Sequence, residues 1–339
     1  MDEISSRWGY DPKFYPLYVG LYPLSFIYSS IIRFRNFLYL NGFLKRVKLN
    51  IPVISVGNIT MGGTGKTPFV IACGRYFKSK GLKVGVVSKG YGRRKRGYKL
   101  ILREEIDDPY ECSLQWGEEA VLVAIKADVP VMVSDSKAEG ALLLERYGVD
   151  MVIVDDGFQH LRLERNVDVV LVDGIRGFGN KLVFPSGPLR EPLSSICRAN
   201  MIVLTKERNY SHLYDVDGVL NRLPVFFFET SYTFIRDGRK VDDLPEEVFL
   251  VTQVANPLGV LKLLGDRGVK VRGVRIFRDH RKYEYRDFKD LMGLDVIITE
   301  KDLLNMPVEL VEKMRPFVIS MDGDIGGDIG RYLEGLIWR

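Results

Sequence analysis

Histidine and cysteine are both scarce in this chain, with three of each in 339 residues. Cys73, Cys112 and Cys197 lie far apart and are odd in number. No disulfide framework or zinc-ligand spacing can be built from them, and a reducing compartment is favoured. Tandem repeats and low-complexity tracts are absent too, so nothing points to a solenoid or a disordered tail. Strong charge bias is also missing. A net charge of +5 permits an acidic partner such as nucleotide, anionic lipid or nucleic acid without demanding one. What remains is an ordinary soluble composition, 46% hydrophobic and 27% charged, with room for roughly two domains.

A local absence is more telling. No charged residue occurs from Phe14 to Ile32, and Arg33 and Arg35 follow at once. Asp2 and Glu3 precede the stretch and no small-residue cleavage site follows, so it does not read as a signal peptide. It is long enough to span a bilayer, but Pro16, Pro23, four tyrosines and three serines suit a hydrocarbon core poorly. Between Leu24 and Leu44, the residues Phe26, Ile27, Ile31, Phe34, Leu38 and Phe43 can share one side, flanked by Arg33, Arg35, Lys45, Arg46 and Lys48. That profile predicts an interfacial amphipathic helix on an anionic membrane surface. Packing on the protein's own core and a true span are the alternatives.

Short Val/Ile-rich runs then alternate with helical stretches such as 67–80 and 137–147: IPVISVG, KVGVVS, VPVMVS, DMVIVDD, DVVLVD and NMIVLT. Such runs read as buried parallel strands, and the alternation predicts a doubly wound, mainly parallel α/β sheet. LPVFFFETSYTFIRDG supplies two β-rich runs that could cross between domains, and EVFLVT, KVRGVRIF, DVIITE and FVISM form a second, smaller alternation. The expected organisation is a membrane-contact segment over 1–45, a core domain over 46–222, a β linker over 223–236 and a smaller α/β domain over 237–339. The basic run Lys89 to Lys99 reads as a mobile or surface loop.

The chemistry starts at SVGNITMGGTGKTPFV, Ser55 to Val70. A strand, a small-residue loop and an apolar-periodic helix, in that order, aim backbone N–H groups and a helix N-terminus at one point, which is an anion site. Thr60 stands where the phosphate-loop pattern wants its first glycine, while Gly62 and Gly63 put flexible residues in mid-loop, followed by Thr64 and Gly65. Lys66 would reach the β and γ phosphates of ATP, and the Thr67 hydroxyl would ligate Mg²⁺. Asp155 and Asp156 close another buried strand, where open α/β sheets place their sites, and offer carboxylates to that metal. Glu118 and Glu119 open an apolar run and could simply cap a helix. Arg190, in a loop between two prolines, would suit a phosphate. TEKD, Thr299 to Asp302, ends a strand and could equally start a helix.

Taken in order, SVGNITMGGTGKTP, SKGYGR, GEEA, VDDGFQH, PSGPLREP, ANP, F-x-DH and TEKD resemble the tetraacyldisaccharide 4'-kinases of lipid A biosynthesis, over nearly the whole chain. The family's own loop also lacks the first glycine. The resemblance implies transfer of the γ-phosphate of ATP to the 4'-hydroxyl of a tetraacylated glucosamine disaccharide 1-phosphate. It also implies work at the cytoplasmic face of the bacterial inner membrane, with neither nucleic acid nor an obligate protein partner. A base formed by the carboxylate at Glu118 with Asp279-His280 is implied, together with Glu119 at the metal, Tyr91 at the nucleotide and Gln159 and Arg190 at the substrate. Two departures stand out: Glu118 where the family has aspartate, its carboxylate about 1.5 Å further out, and Arg278 where proline usually precedes Asp-His. Whether the carboxylate orients the imidazole or the reverse, and which of Asp155, Asp156 and Glu119 touches the metal, is open at this level. With His280 in the second domain, catalysis is expected to need closure of an inter-domain cleft. The competing reading is a P-loop NTPase switch or metal-insertion chaperone, but Met61 replaces the lysine common in those loops, and the Cys and His clusters are missing.

Overall fold

The computed structural model describes residues 15–206, 222–254 and 257–338. Residues 1–14, and Ala255 and Asn256 of the ANP segment, lie outside the described residues. The expected runs fold as β1 (Val53–Gly57), β2 (Val84–Ser88), β4 (Val131–Ser134), β5 (Met151–Asp155), β6 (Val167–Asp173) and β7 (Met201–Thr205), with β3 (Tyr98–Ile101) at the edge. All but β3 pair in parallel, and their residues are buried on both faces because helices cover both. The basic segment is therefore not all loop: Tyr98 and Lys99 pair antiparallel with Ser134 and Val133.

The two β-rich runs expected between the halves are one twelve-residue strand, β8 (Val225–Arg236). No glycine or proline interrupts the sequence from Val225 to Asp237, so nothing breaks it. Its first residues pair parallel with β7, and its last pair antiparallel with β9 (Arg239–Val241) on one side and β13 (Phe317–Asp324) on the other. Beyond β13 the sheet continues through β12 (Val296–Thr299), β10 (Glu247–Thr252) and β11 (Lys270–Ile276). A single sheet thus runs through both halves. The C-terminal helix (Gly326–Ile337) then folds back on the first half. Its Ile329 and Leu333 share a core with Phe69 and Phe77 of the helix Lys66–Ser79 and with Phe228 of β8.

The N-terminal helix, α1 (Tyr15–Leu40), docks by a few polar residues together with the buried Tyr18 and Ile32. Ser25 and Asn36 are buried. The Ser25 hydroxyl donates to the Val183 carbonyl, and the Asn36 amide donates to Glu191 Oε2 at 2.9 Å. Tyr28 donates to the Arg190 carbonyl at 3.3 Å. Meanwhile Phe26, Ile27, Ile31, Phe34, Phe37 and Leu40 are more than half exposed. Packing on the protein's own core is thereby ruled out for this face. The helix is long and apolar enough to cross a membrane, and it presents its apolar side outward, as membrane contact requires.

Candidate active site

The phosphate loop joins β1 to the helix α2 (Lys66–Ser79), whose N-terminus carries neither a capping side chain nor an acidic residue in its first turn. That leaves the positive end of the helix open to an anion. Gly62 and Gly65 adopt φ of 96° and 79°, conformations that a side chain would strain. Thr60 needs no such freedom. It is buried in a backbone bridge with Leu189, flanked by Met61 N–H to the Pro188 carbonyl and Arg190 N–H to the Ile59 carbonyl, both 2.7 Å. The loop's missing glycine is thus an extended residue pinned to the PSGPLREP segment. Lys66 Nζ lies 3.3 Å from Asn58 Oδ1 and 3.5 Å from Asp156 Oδ1. Gln159, expected at the substrate, donates its amide to the Asn58 carbonyl at 2.9 Å and so braces the loop.

Asp155 and Asp156 end β5 but have opposite electrostatic fates. Burial would raise Asp156, yet Lys66, Arg190 and Lys137 outweigh it and hold the carboxyl at about 2. Arg190 Nη1 reaches both its oxygens, at 3.0 and 2.9 Å. Asp155 is instead pushed up to about 6, first by burial and then by the charge of Glu119. Ser88 Oγ donates a hydrogen bond to its Oδ2 at 3.2 Å. Beside them Lys137, itself buried, donates to the Asp156 carbonyl. Burial lowers the Lys137 ammonium pKa, and the two aspartates oppose that shift.

Glu118 begins α3 (Glu118–Ala127) after Gly117, whose φ of 99° and close approach to the Gly90 backbone, 2.8 Å from any Cβ, admit only glycine. The carboxylate is 3% exposed. His280 Nδ1 stands 3.0 Å from Glu118 Oε1, a close approach whose angle falls short of a formed hydrogen bond. Lys301 Nζ is 3.1 Å from the same oxygen, 3.2 Å from Glu119 and 3.7 Å from Asp279. Asn305 donates to Glu118 Oε2 at 2.6 Å. Burial would raise the Glu118 carboxyl, but His280, Lys301 and Asn305 together bring it to about 2. The adjoining carboxylate in turn raises the His280 imidazole against the effect of burial.

His280 sits at φ 61°, uncommon for a residue with a Cβ, in a turn closed by Arg281 N–H to the Arg278 carbonyl at 3.2 Å. Its remaining nitrogen, Nε2, is 3.5 Å from Asp279 Oδ2, whose side chain is 58% exposed. Tyr91 packs its ring 5.1 Å from the imidazole, so it stands at the base rather than in the phosphate loop. Glu118, Asp279 and His280 could hold a cation between them, but Lys301 already supplies one. The dyad joins the two halves of the sheet, which β8 and the shared core also connect.

Three participants carried no role in the sequence. Lys301 lies in the TEKD segment, which both ends β12 and starts a helix: Thr299 and Asp302 cap each other, Thr299 N–H to Asp302 Oδ2 at 2.9 Å. That capping box points Lys301 at the carboxylates. Lys137 follows the C-terminal end of β4, a position where open sheets place functional groups. Asn305 had no sequence signal at all, since only tertiary folding brings it to Glu118.

A family model described as tetraacyldisaccharide-1-P 4'-kinase matches residues 17–328. A tetraacyldisaccharide 4'-kinase of Actinobacillus succinogenes is 33% identical over 284 residues, covering 83% of each chain. One from Chlorobium luteolum is 35% identical over 321 residues, covering 88% of this chain and 90% of its own. Among solved structures, LpxK from Aquifex aeolicus in complex with ATP superposes with a TM-score of 0.77 at 29% identity, covering 95% of this chain and 99% of its own.

Proposed function

The chain belongs to the tetraacyldisaccharide-1-phosphate 4'-kinase family, and from that premise we propose how its own residues carry out the transfer. The reaction it performs uses ATP and Mg²⁺ to phosphorylate the 4'-hydroxyl of a tetraacylated glucosamine disaccharide 1-phosphate. The 4'-oxygen forms the new P–O bond as the γ-phosphorus parts from its bridging oxygen. ADP leaves, and the hydroxyl proton goes to the enzyme.

His280 takes that proton at Nε2, while Glu118 holds Nδ1 and stabilises the imidazolium. The carrying observation is the 3.0 Å approach of Nδ1 to a buried carboxylate at about 2, which is far too weak a base for a sugar hydroxyl. Asn305 and Lys301 fix that carboxylate in place. Lys66 and the N-terminus of α2 meet the phosphates, and Asp156 with Arg190 holds Lys66 ready between substrates. Asp155, buried and raised toward neutrality by Glu119, fits a hard divalent cation, as do Glu119 and the Thr67 hydroxyl. Mg²⁺ held there would offset the charge on the transferred group.

The acid limb of kcat/KM tests the role of His280. Imidazolium cannot accept a proton, so kcat/KM should rise with pH through an apparent pKa above the ordinary histidine value. Glu118→Gln removes the main cause of the raised pKa, so the limb should move to lower pH while the plateau falls. An unmoved limb would assign it to another group.

The helix α1 supports a peripheral or monotopic position on a membrane surface, which we assign to the anionic cytoplasmic face of the inner membrane. Each large side chain buried in lipid would contribute about 1.5–3 kcal/mol, so the exposed row suffices for docking. Ile31→Glu with Phe34→Glu should shift the protein from vesicle pellet to supernatant with its melting temperature unchanged, since neither side chain is buried. Retained pelleting would place membrane contact elsewhere.

A further inference from the structure

We infer that a cationic cavity at the foot of α1, away from the phosphate loop, is a binding site for the phosphate of a lipid headgroup. The cavity is about 210 Å³ and is lined by Leu40, Arg46, Leu161, Arg165, Asp168 and Arg198. Three guanidinium groups face one carboxylate there. Two of the three are partly spent. Arg165 holds Asp168 Oδ2 at 2.8 Å and the His160 carbonyl at 2.8 Å, and Arg198 holds Glu191 Oε2 at 2.8 Å while lying 4.5 Å from the Phe158 ring. Arg46 has no hydrogen-bond or ion-pair partner among the described residues. The Nε–H groups of Arg46 and Arg198 are both buried and unpartnered.

Those two N–H groups lie behind the cavity wall; what meets a ligand is the remaining edge of three guanidinium groups around one opening, and that asks for an anion with several acceptor oxygens. Guanidinium groups match phosphate in that respect. The Asp168 carboxylate lines the same cavity, so its charge disfavours a trianion and leaves a phosphate of lower charge, such as an esterified one, as the better fit. The place also suits a lipid. Leu40 is the last residue of α1, and Phe37, Leu40 and Phe43 are more than half exposed around it, so the arginines stand at headgroup level when that row meets the bilayer. The inference rests on the membrane contact proposed above.

Two sources present this chemistry, the 1-phosphate of the sugar substrate and the bulk anionic phospholipid, and the assay separates them. Arg46 is a partly exposed loop residue whose loss should not unfold the chain. Wild type, Arg46→Ala and Lys45→Ala are compared for binding to vesicles of phosphatidylcholine with or without phosphatidylglycerol. They are also compared for KM, in detergent, on the disaccharide with a 1-phosphate or a free 1-hydroxyl. Lys45→Ala removes the same charge from the same loop outside the cavity. If phospholipid fills the cavity, Arg46→Ala loses phosphatidylglycerol binding by about tenfold or more, clearly beyond Lys45→Ala. If the substrate fills it, KM rises about tenfold for the 1-phosphate alone, with kcat held. Either result supports the site. An Arg46→Ala protein that matches Lys45→Ala in both arms overturns it, since only diffuse surface charge would then be acting. Pelleting on phosphatidylcholine alone separates this failure from a failure of α1 docking, because the apolar row needs no phosphate.

Discussion

Replacing Lys66 with alanine is expected to lower kcat by about 10²- to 10³-fold, the loss that follows removal of one preorganised group facing transition-state charge. The effect should fall on kcat more than on KM for ATP, because the backbone N–H groups of the loop and the α2 terminus remain. The structure adds a second consequence. Lys66 is the foremost of the cations that keep Asp156 at about 2. Its removal should raise that carboxyl and leave Arg190 as its main partner. Product formation from ATP and the disaccharide 1-phosphate, followed by mass, reads the effect directly. A variant within about threefold of wild type would mean that the loop does not cradle the transferred phosphate.

His280→Ala should lower kcat by about 10²- to 10⁴-fold, the range for loss of a positioned proton acceptor. KM for ATP should stay nearly constant, since no phosphate-loop residue touches the imidazole. Combining it with Glu118→Gln is the sharper measurement. If the two act as one unit, the double variant loses little beyond His280→Ala alone. Additive losses would mean that Glu118 works independently, as a base in its own right, and the assignment of the proton to Nε2 would fail.

Much of this site could be read before any coordinates. The six apolar runs of the first half became strands within a residue or two at each end, because burial on both faces leaves a sequence little but Val and Ile. Lys66 and Thr67 were legible from local order alone, and the pairing of Glu118 with His280 from the family resemblance. What could not be read depends on contacts distant in sequence. Asn305 meets Glu118 across 187 positions, and Lys301 gains its three carboxylates only when the short helix Glu300–Leu303 comes against α3 and the turn that carries Asp279. The longer Glu118 also makes sense only in three dimensions: its extra methylene lets the carboxylate touch His280, Lys301 and Asn305 from a backbone held tight against Gly90. The N-terminal helix shows the converse. Its apolar side was found from sequence, but its attachment through Ser25 and Asn36 was not, since isolated polar residues in a helix ordinarily face water.

The C-terminal helix has a bearing on how the protein is made. Ile329 and Leu333 belong to the same core as Phe69 and Phe77, although some 250 residues separate them in the chain. During synthesis the N-terminal portion emerges first, yet the layer over its nucleotide-binding helix emerges some 250 residues later. Until then a large aromatic surface stands uncovered beside a helix that itself seeks lipid. Early association of α1 with the membrane would keep the partly folded chain apart from its neighbours until the twelve-residue helix comes round to seal it.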